Sequence, residues 1–337
     1  MFGELWIDRA KGVEARLAQT PADVRPYVEE FIQKGYVIFR GAVSDETVEA
    51  ILADKNGIYD DPEDYVLKNS GTYLDPVELK KMDRADRLID LYAVSPAARD
   101  AIAAPLVSKF LQVIFEDDPI AMQSIYFEYG SQQSQHQDTA YVVAEKPLSL
   151  AACWIALEDI KEGSGELVYY PGSQRFEPFL FSGEFKSWTP KRDGQEQHKE
   201  FLEQLHTQAK ERGIALEPFL ARKGDILIWH ADLSHGGARI TTNDQTRMSL
   251  VAHFCPRSVK PAYRQSVPNT YREVKHPNGM YFTSRHYDLA PVEKGHAKGA
   301  LIYDGGVTKR RQGPSVADVP VAARSLAGRV MRKLGLR

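Results

Sequence analysis

The sequence predicts a mainly β fold, a sandwich or barrel, with helices flanking it. Residues 120–256 contain a series of short runs that are rich in aromatic and β-branched residues and are of strand length. Turn-forming residues separate these runs, for example at 162–165, 171–173 and 223–225. Many short strands with evenly spaced turns are typical of a sandwich or barrel.

A helix and a strand are predicted near the N-terminus. Apolar residues recur at helical spacing from Pro21 to Lys34, and Gly35 follows as the residue where the helix ends. Tyr36 to Arg40 is a short β-branched and aromatic run, which predicts a strand. The same reasoning predicts further helices at residues 44–52, 96–103, 105–115 and 195–212, a surface loop or lid at 55–86, and strands at 87–93, 120–129, 136–143, 148–157, 166–170, 226–230 and 246–256.

These elements group into one large domain with two appendages. A chain of 337 residues with 43% hydrophobic residues is long enough for a single β domain of this kind. We assign residues 1–257 to that domain, with a charged helical insertion at 174–214 on the rim of the barrel. Residues 258–337 are assigned to a C-terminal extension that ends in a basic amphipathic helix.

The C-terminal helix, residues 320–337, belongs to a basic part of the chain. Residues 308–337 contain eight Lys or Arg and one acidic residue, whereas the formal net charge of the whole chain is −3. The overall balance argues against general nucleic-acid binding. The helix either makes a weak contact with an anionic membrane or a protein partner, or packs on its own domain as a solvated terminal helix.

Cysteine usage and hydropathy predict a cytoplasmic protein. Cys153 and Cys255 lie in apolar, strand-like runs and are interpreted as reduced core residues. Residues 1–17 mix charges of both signs and contain no apolar signal region. No stretch approaches the roughly eighteen apolar residues of a membrane span. The expected location is therefore cytoplasmic, with the C-terminal helix as the means of any peripheral membrane contact.

His136-Gln137-Asp138 and His235 supply the ligand types of a mononuclear iron site. Residues i and i+2 of a strand point to the same side, so His136 and Asp138, both in a predicted strand, reach one metal ion. His235 completes a set of two imidazoles and one carboxylate. This set covers one face of an octahedral Fe(II) and leaves the opposite face open for a co-substrate and O2. Arg247 adds a guanidinium fork suited to the distal carboxylate of 2-oxoglutarate.

A second His-x-Asp motif, His286-Tyr287-Asp288, is rejected as a metal site. It lies in an irregular stretch rich in Pro and Gly, with only His296 downstream and no strand-borne arginine after it. A His-x-Asp motif alone is a weak signal, because nine histidines among many acidic residues produce such matches by chance. We expect this pair to lie at the surface.

The motifs together resemble the phytanoyl-CoA dioxygenase family of Fe(II)/2-oxoglutarate-dependent oxygenases. The resemblance covers residues 27–256 and runs through a strand, His-x-Asp, a strand, a Gly-rich turn, a strand, an insertion, a Lys-Gly-Asp turn, a strand, His, and a strand with Arg. The segments that carry it are residues 136–138, 152–157, 163–165, 171–173, 224–225, 230, 235–237 and 247–250. It implies a double-stranded β-helix, the jelly roll of cupin-like proteins.

The resemblance implies a role for each matching residue. His136, Asp138 and His235 bind Fe(II), and Arg247 binds 2-oxoglutarate as co-substrate. Four further residues are expected to contact the co-substrate pocket: Trp154, Ile125, Gln137 and Arg87. His230 is expected to pack or hydrogen-bond instead of binding metal. Contacts with the small-molecule substrate are expected among Tyr126, Gln133, Tyr141, Trp188, Tyr281 and Arg285.

Hydroxylation is the activity that the resemblance implies. An unactivated C–H bond of a small or mid-sized organic substrate is hydroxylated with release of succinate and CO2, and ascorbate serves as reductant in assays. Asp138 favours hydroxylation, because related iron halogenases have a small residue there that makes room for chloride. Two alternatives stay open: desaturation, epimerisation or ring formation at the same iron, and a non-catalytic jelly-roll binding protein with a vestigial metal site.

Overall fold

Two antiparallel β-sheets face each other, and helices cover the outer face of the larger sheet. The structure is a computed structural model, and it describes residues 2–9, 11–60, 67–69, 72–74, 87–242, 245–262, 273–285, 289, 302–304 and 307–309. Within these ranges the predicted sandwich or barrel of short strands is confirmed.

The helices lie mainly before the first long strand, as predicted. They are α1 Val13–Gln19, α2 Arg25–Lys34, α3 Asp45–Asp60, α4 Pro96–Ile102, α5 Pro105–Phe115 and α6 Pro190–Glu211. Short 3-10 turns occur at Trp6–Asp8, Leu91–Ala93, Asp138–Ala140 and Ser173–Arg175.

The strands are short, and β6, β9 and β11 at the centre of the larger sheet are buried on both faces. They are β1 Tyr36–Phe39, β2 Leu67–Asn69, β3 Thr72–Leu74, β4 Arg87–Ile89, β5 Pro119–Phe127, β6 Ala151–Ala156, β7 Leu167–Tyr169, β8 Glu217–Phe219, β9 Ile226–His230, β10 His235–Gly237, β11 Ser249–Pro256, β12 Val274–Lys275, β13 Tyr281–Phe282, β14 Ile302–Asp304 and β15 Val307–Lys309.

The larger sheet runs in the order β1-β9-β6-β11-β5-β13-β12, and β4 also pairs with β5. The smaller sheet runs β10-β7-β8. Neighbouring strands in both sheets are antiparallel, except that β13 is parallel to β5. The pairs β2–β3 and β14–β15 form separate two-stranded sheets.

Side chains alternate between two cores along the central strand β11. Leu250, Ala252 and Phe254 belong to the core that packs against the helices. Val251 belongs to the core between the two sheets. Because successive strand residues point to opposite faces, this alternation divides β11 into a structural side and a side facing the interior of the sandwich.

Several predicted elements are confirmed at or near their predicted bounds. Residues 105–115 form α5 and residues 226–230 form β9, both with the predicted limits. The helix predicted at 44–52 is longer, because α3 continues to Asp60. This helix includes residues 55–60 of the predicted loop at 55–86, and most of the remaining loop lies outside the described residues. The strand predicted at 87–93 ends at Ile89 and is followed by a 3-10 turn.

The strand predicted at 136–143 is wrong. His136 pairs with one residue of β10, and Asp138–Ala140 is a 3-10 turn. The carbonyl of Asp138 accepts hydrogen bonds from the backbone of Tyr141 at 2.9 Å and Val142 at 2.7 Å, which closes the turn. The apolar run 141–143 therefore lies on a turn, although its composition is that of a strand. The short strands β8 and β10 were not predicted.

The C-terminal region contributes to the larger sheet. β12 and β13 form a hairpin, and β13 pairs with β5. The proposed division of the chain at residue 257 stays a prediction. The predicted basic helix at 320–337 and the rejected motif at 286–288 lie outside the described residues. None of the helices described is both long enough and apolar enough to cross a membrane.

The Lys223-Gly224-Asp225 turn fixes the start of β9, which leads to the site described below. Gly224 has a φ of +84° and donates its backbone N–H to the carbonyl of Ala156 at 2.9 Å. Its own carbonyl accepts from the backbone of Val43 at 3.0 Å. A Cβ at Gly224 would lie 2.2 Å from the Val43 carbonyl oxygen. Only glycine fits this backbone conformation and this close approach.

Gly224→Ala should lower the free energy of unfolding by at least about 2 kcal/mol, because it adds left-handed strain and a clash with backbone. Gly57→Ala is the matched control, since Gly57 lies in α3 and a Cβ added there would meet open space. The free energy of unfolding of this control should rise by about 0.5–1 kcal/mol, because alanine is the better helix former. Urea denaturation of both variants measures the difference. Equal stabilities would contradict the role assigned to Gly224.

Candidate metal centre

Backbone pairing brings the two metal-ligand segments together. The N–H of His136 donates to the carbonyl of His235 at 2.8 Å, and the N–H of His235 donates to the carbonyl of His136 at 2.9 Å. The two residues thus face each other directly across an antiparallel bridge at the edge of the smaller sheet. Their ring centroids lie 4.5 Å apart. The pairing places both imidazoles on one side of the backbone, facing the interior of the sandwich.

Each imidazole is oriented by its own backbone. Nδ1 of His136 lies 2.8 Å from the carbonyl of Ser134, and Nδ1 of His235 lies 2.9 Å from the carbonyl of Leu233. A carbonyl can only accept, so Nδ1 carries the proton in both rings. The lone pair of each ring is therefore on Nε2, the atom available to a metal.

Asp138 completes a cluster of three ligand atoms. Its Oδ1 lies 3.7 Å from Nε2 of His136 and 3.6 Å from Nε2 of His235. The three ligand atoms all lie within 4.8 Å of one another, and the three residues are buried. Metal–ligand bonds of about 2.1 Å place neighbouring atoms of an octahedron about 3 Å apart. A small contraction is enough to bring all three atoms onto one ion, so the residues fit a metal.

The protonation states suit metal binding. Burial, and then the neighbouring His235, lower the pKa of His136 to about 4. Burial alone would raise the pKa of Asp138, but the adjacent His235 and His253 outweigh burial and lower the pKa below its ordinary value. At neutral pH the cluster therefore has a neutral His136 imidazole and a charged Asp138 carboxylate, which are the forms that bind metal.

Asp232 fixes the turn that carries Asp138. The side chain of Gln137 donates to the carbonyl of Asp232 at 2.8 Å, and the hydroxyl of Thr139 donates to Oδ1 of Asp232 at 2.7 Å. Lys186, from the insertion, donates to Oδ2 at 2.5 Å. The residues on both sides of Asp138 thus point toward Asp232. Asp138 itself points into the interior of the sandwich.

Gln137 requires a correction. We predicted that its backbone borders the co-substrate pocket, but Gln137 does not line the cavity beside the cluster, and its side-chain amide is directed at Asp232. The reason is the turn at 138–140, which replaces the predicted strand. The convergence of His136 and Asp138 therefore arises from a β-bridge followed by a turn, and not from alternate residues of one strand.

A cavity of about 210 Å³ leads away from the cluster. Facing side chains on its sheet wall form transverse rows. The first row holds Trp229, His253 and Gln123, on β9, β11 and β5. The second row holds Trp154, Val251 and Ile125, and the third holds Phe127 with Arg87 on β4. Neighbouring rows are two residues apart along a strand, so the first and third rows lie roughly 13 Å apart. The cavity therefore has two well-separated ends.

Two guanidinium groups mark the end of the cavity away from the histidines. Arg247 is only 3% exposed, and its guanidinium lies 5.3 Å from the Phe127 ring centroid and 5.5 Å from that of Trp154. Arg87 lies 5.1 Å from the same Phe127 ring. Burial, and then repulsion from Arg87, lower the pKa of Arg247 to about 10, so it stays charged at neutral pH.

The Arg247 charge is not neutralised by a contacting carboxylate within the described ranges. Its Nη1 donates to the hydroxyl of Ser249 at 3.1 Å, and its buried Nε has no hydrogen-bond partner there. Burying a cation without an anionic partner is costly. This end of the cavity therefore favours a bound anion.

The structure brings most of the predicted site residues to this one cavity. His136, Asp138, His235, Arg247, Trp154, Ile125 and Arg87 all line it. Among the predicted substrate contacts, Gln133 and Tyr141 line it as well. The hydroxyl of Tyr141 lies 2.6 Å from Nε2 of His198, whose ring lies 4.4 Å from that of Trp188. Tyr126 instead packs in the core beneath the helices.

His253 and Gln123 are cavity residues that we did not predict. His253 is buried, and its Nε2 lies 3.5 Å from Oδ2 of Asp138. The signal was present in the sequence, because His253 follows Arg247 by three steps of two residues, in the run 246–256 that was predicted as a strand. Gln123 lies opposite His253 on β5. Its position depends on strand register, which the sequence does not reveal.

Two other predictions are confirmed near the site. His230 is not part of the metal-ligand cluster, and it makes hydrogen-bonding contacts with Asp8 at 3.3 Å and with the backbone N–H of Asp232 at 3.1 Å. Cys153 and Cys255 are buried and form no disulfide within the described residues.

The comparison with known families identifies the chain. The model of the phytanoyl-CoA dioxygenase (PhyH) family matches residues 31–249. The chain belongs to the phytanoyl-CoA dioxygenase family. Curated relatives include phytanoyl-CoA dioxygenase domain-containing protein 1 of Mus musculus, 29% identical over 114 residues, which are 32% of this chain and 38% of that protein. The Danio rerio protein of the same name is 24% identical over 123 residues, 35% of this chain and 38% of that protein.

Solved structures share the fold. The epimerase SnoN, solved with Fe3+, alpha ketoglutarate and nogalamycin RO, has a TM-score of 0.54 at 16% identity and covers 77% of this chain and 99% of its own. The carbocyclase SnoK has a TM-score of 0.52 at 17% identity, and the match covers 70% of this chain and 85% of SnoK. EctD from S. alaskensis, solved with 2-oxoglutarate and 5-hydroxyectoine, has a TM-score of 0.52 at 15% identity. The match covers 76% of this chain and 80% of EctD. The predicted jelly-roll fold is thereby confirmed.

Lys186→Met should lower the free energy of unfolding by about 3–5 kcal/mol, because it leaves the Asp232 carboxylate buried without its cation. Both side chains of this ion pair are less than one-tenth exposed. Chemical denaturation measures the loss.

The matched control is Lys199→Met, which breaks an ion pair with Glu203 on α6 whose side chains are 65% and 64% exposed. Exposed pairs of this kind contribute little to stability, so this variant should unfold like the parent protein. If the free energy of unfolding fell by the same small amount in both variants, the ion pair of Lys186 with Asp232 would not stabilise the turn that carries Asp138.

Proposed function

We propose that the protein is an Fe(II)- and 2-oxoglutarate-dependent oxygenase that hydroxylates an unactivated C–H bond of a small or mid-sized organic molecule. One observation carries the proposal. Two Nε2 atoms and one carboxylate oxygen lie within 4.8 Å of one another at one end of a cavity whose other end holds a buried, charged arginine. This arrangement suits a co-substrate with a metal-chelating end and a carboxylate end.

The ligand set supports ferrous iron. Two neutral imidazoles and a carboxylate on one face are the donor set of non-haem Fe(II) oxygenases and leave the remaining positions for exchangeable ligands. His136, Asp138 and His235 would hold the ion. Bound iron, together with 2-oxoglutarate and O2, supplies the oxidation of a C–H bond with release of succinate and CO2.

The arginine end supports 2-oxoglutarate. Arg247 would donate to the distal carboxylate of the co-substrate, and Arg87 adds positive charge at the same end. Trp154 and Ile125 would form the apolar wall along the co-substrate, because they lie in the row between the two ends. The buried surroundings strengthen the contact between a carboxylate and a guanidinium.

Hydroxylation is preferred over halogenation, because Asp138 occupies the carboxylate position with one oxygen directed at both histidines, where related iron halogenases have a small residue. Desaturation, epimerisation and ring formation use the same cluster. They are distinguished by the product and not by the metal ligands.

The purified protein, supplied with Fe(II), 2-oxoglutarate, O2 and ascorbate, should form succinate slowly without substrate and faster with the correct substrate. A screen of organic molecules by succinate release identifies the substrate class. Mass analysis of the product should then show the gain of one oxygen. The loss of two hydrogens would overturn hydroxylation in favour of desaturation or ring formation.

Asp138→Ala, which removes one metal ligand, should abolish succinate formation in the same assay. Retained turnover would exclude Asp138 as a ligand. No succinate from the parent protein under any condition would favour the alternative of a non-catalytic jelly-roll binding protein.

Arg247→Lys should raise the KM for 2-oxoglutarate about tenfold or more with a smaller effect on kcat, because a point charge replaces a two-pronged donor. Steady-state succinate assays measure both constants. Arg257→Lys is the matched control, since Arg257 pairs with Glu273 at the surface, and its KM should equal that of the parent. An unchanged KM in Arg247→Lys would assign the co-substrate carboxylate to another group.

A further inference from the structure

The two oxygens of the Asp138 carboxylate face different surroundings. Oδ1 faces the two histidines, with Nε2 distances of 3.7 Å to His136 and 3.6 Å to His235. Oδ2 accepts a hydrogen bond from the indole N–H of Trp229 at 2.8 Å and lies 3.5 Å from Nε2 of His253. One oxygen is therefore directed at the metal position, and the other is directed at two side chains of the larger sheet.

We propose that Trp229 and His253 are positioning residues that hold Oδ2 of Asp138 and so present Oδ1 alone to the metal. The inference rests on the proposed function, because it assumes that the cluster binds a metal. It adds the reason why Asp138 binds through one oxygen and leaves the other positions of the metal free.

The register of the larger sheet supports this role. Trp229 on β9 and His253 on β11 both lie opposite Ala152 on β6, which stands between them. The two large side chains can therefore approach one carboxylate oxygen from either side of a small residue. Both come from the centre of a sheet that is buried on its two faces. Rigid strands hold a ligand more accurately than a loop does.

His253 acts through Asp138 and not as a fourth ligand. Its ring nitrogens are not part of the group of atoms within 4.8 Å, which contains only His136, Asp138 and His235 among the described residues. It lies on the Oδ2 side of the carboxylate, whereas the two ligand histidines lie on the Oδ1 side. Contact with Oδ2 leaves its Nδ1 buried without a hydrogen-bond partner within the described ranges.

The expected consequence is a change in metal affinity. Residues that hydrogen-bond to metal ligands typically contribute tenfold to a hundredfold in affinity. Without Trp229 or His253, Oδ2 is free to rotate toward the metal. Asp138 then binds through both oxygens or in several orientations, and the coordination changes.

Co(II) titration of the full-length protein without O2 tests this role, with visible absorption reporting coordination and a thermal melt reporting stability. Trp229→Phe and His253→Leu should each weaken Co(II) binding about tenfold to a hundredfold and alter the Co(II) spectrum. His253→Gln, which keeps an N–H donor of similar reach, should restore the parent affinity and spectrum.

Trp6→Phe is the matched control for stability. Trp6 is buried and donates its indole N–H to the carbonyl of Val113 at 2.9 Å, far along the chain from the cluster. This variant should lower the melting temperature as Trp229→Phe does, while Co(II) affinity and spectrum stay at the parent values. A purely structural role for Trp229 would make the two variants alike in every readout.

The outcomes separate this inference from the proposed function. If the parent protein binds Co(II) and both Trp229→Phe and His253→Leu keep its affinity and spectrum, the positioning role is wrong and the oxygenase proposal stands. If the parent protein fails to bind Co(II) or Fe(II), the proposed function and the positioning role are both overturned.

Discussion

The candidate site depends on the backbone pairing of His136 with His235. Two hydrogen bonds of 2.8 and 2.9 Å lock a loop residue against a three-residue strand of the smaller sheet. Because the bonds are between backbone atoms, they fix the two Cα positions whatever the side chains are. The imidazoles are then oriented by carbonyls two residues upstream in each segment. Sheet geometry thus brings the two ligand residues together, and the local hydrogen bonds place a proton on Nδ1 of each ring.

Asp232 extends this constraint to the third ligand. It receives hydrogen bonds from the residues on both sides of Asp138, and it lies three positions before His235 in the chain. A single buried aspartate therefore ties the turn of Asp138 to the segment of His235. Lys186 of the insertion neutralises it, so the insertion around α6 contributes directly to the stability of the cluster. A buried network of this kind is stabilising only when every member is paired.

The sequence predicted those parts of the fold that depend on local composition. The helix α5 and the strand β9 have clear periodicity and were predicted with the observed bounds. The strand at 136–143 was wrong because its course is set by hydrogen bonds to Asp232, which is distant in sequence. The strand β10 was missed because His-Gly-Gly has little β propensity and pairs only through its partners. The motif showed the ligand types, whereas Gln123 could be placed at the cavity only from the register of β5 against β11.

Three buried polar atoms at the cavity bear on what the cavity binds. The indole N–H of Trp154, Nε of Arg247 and Nδ1 of His253 are buried, line the same space and lack hydrogen-bond partners among the described residues. Each such group costs free energy in a folded protein unless a partner is supplied. A ligand with a carboxylate at the Arg247 end would give Nε of Arg247 an acceptor. The packed cores of the sandwich offset the cost of these groups, and an anion bound beside Arg247 would lower that cost.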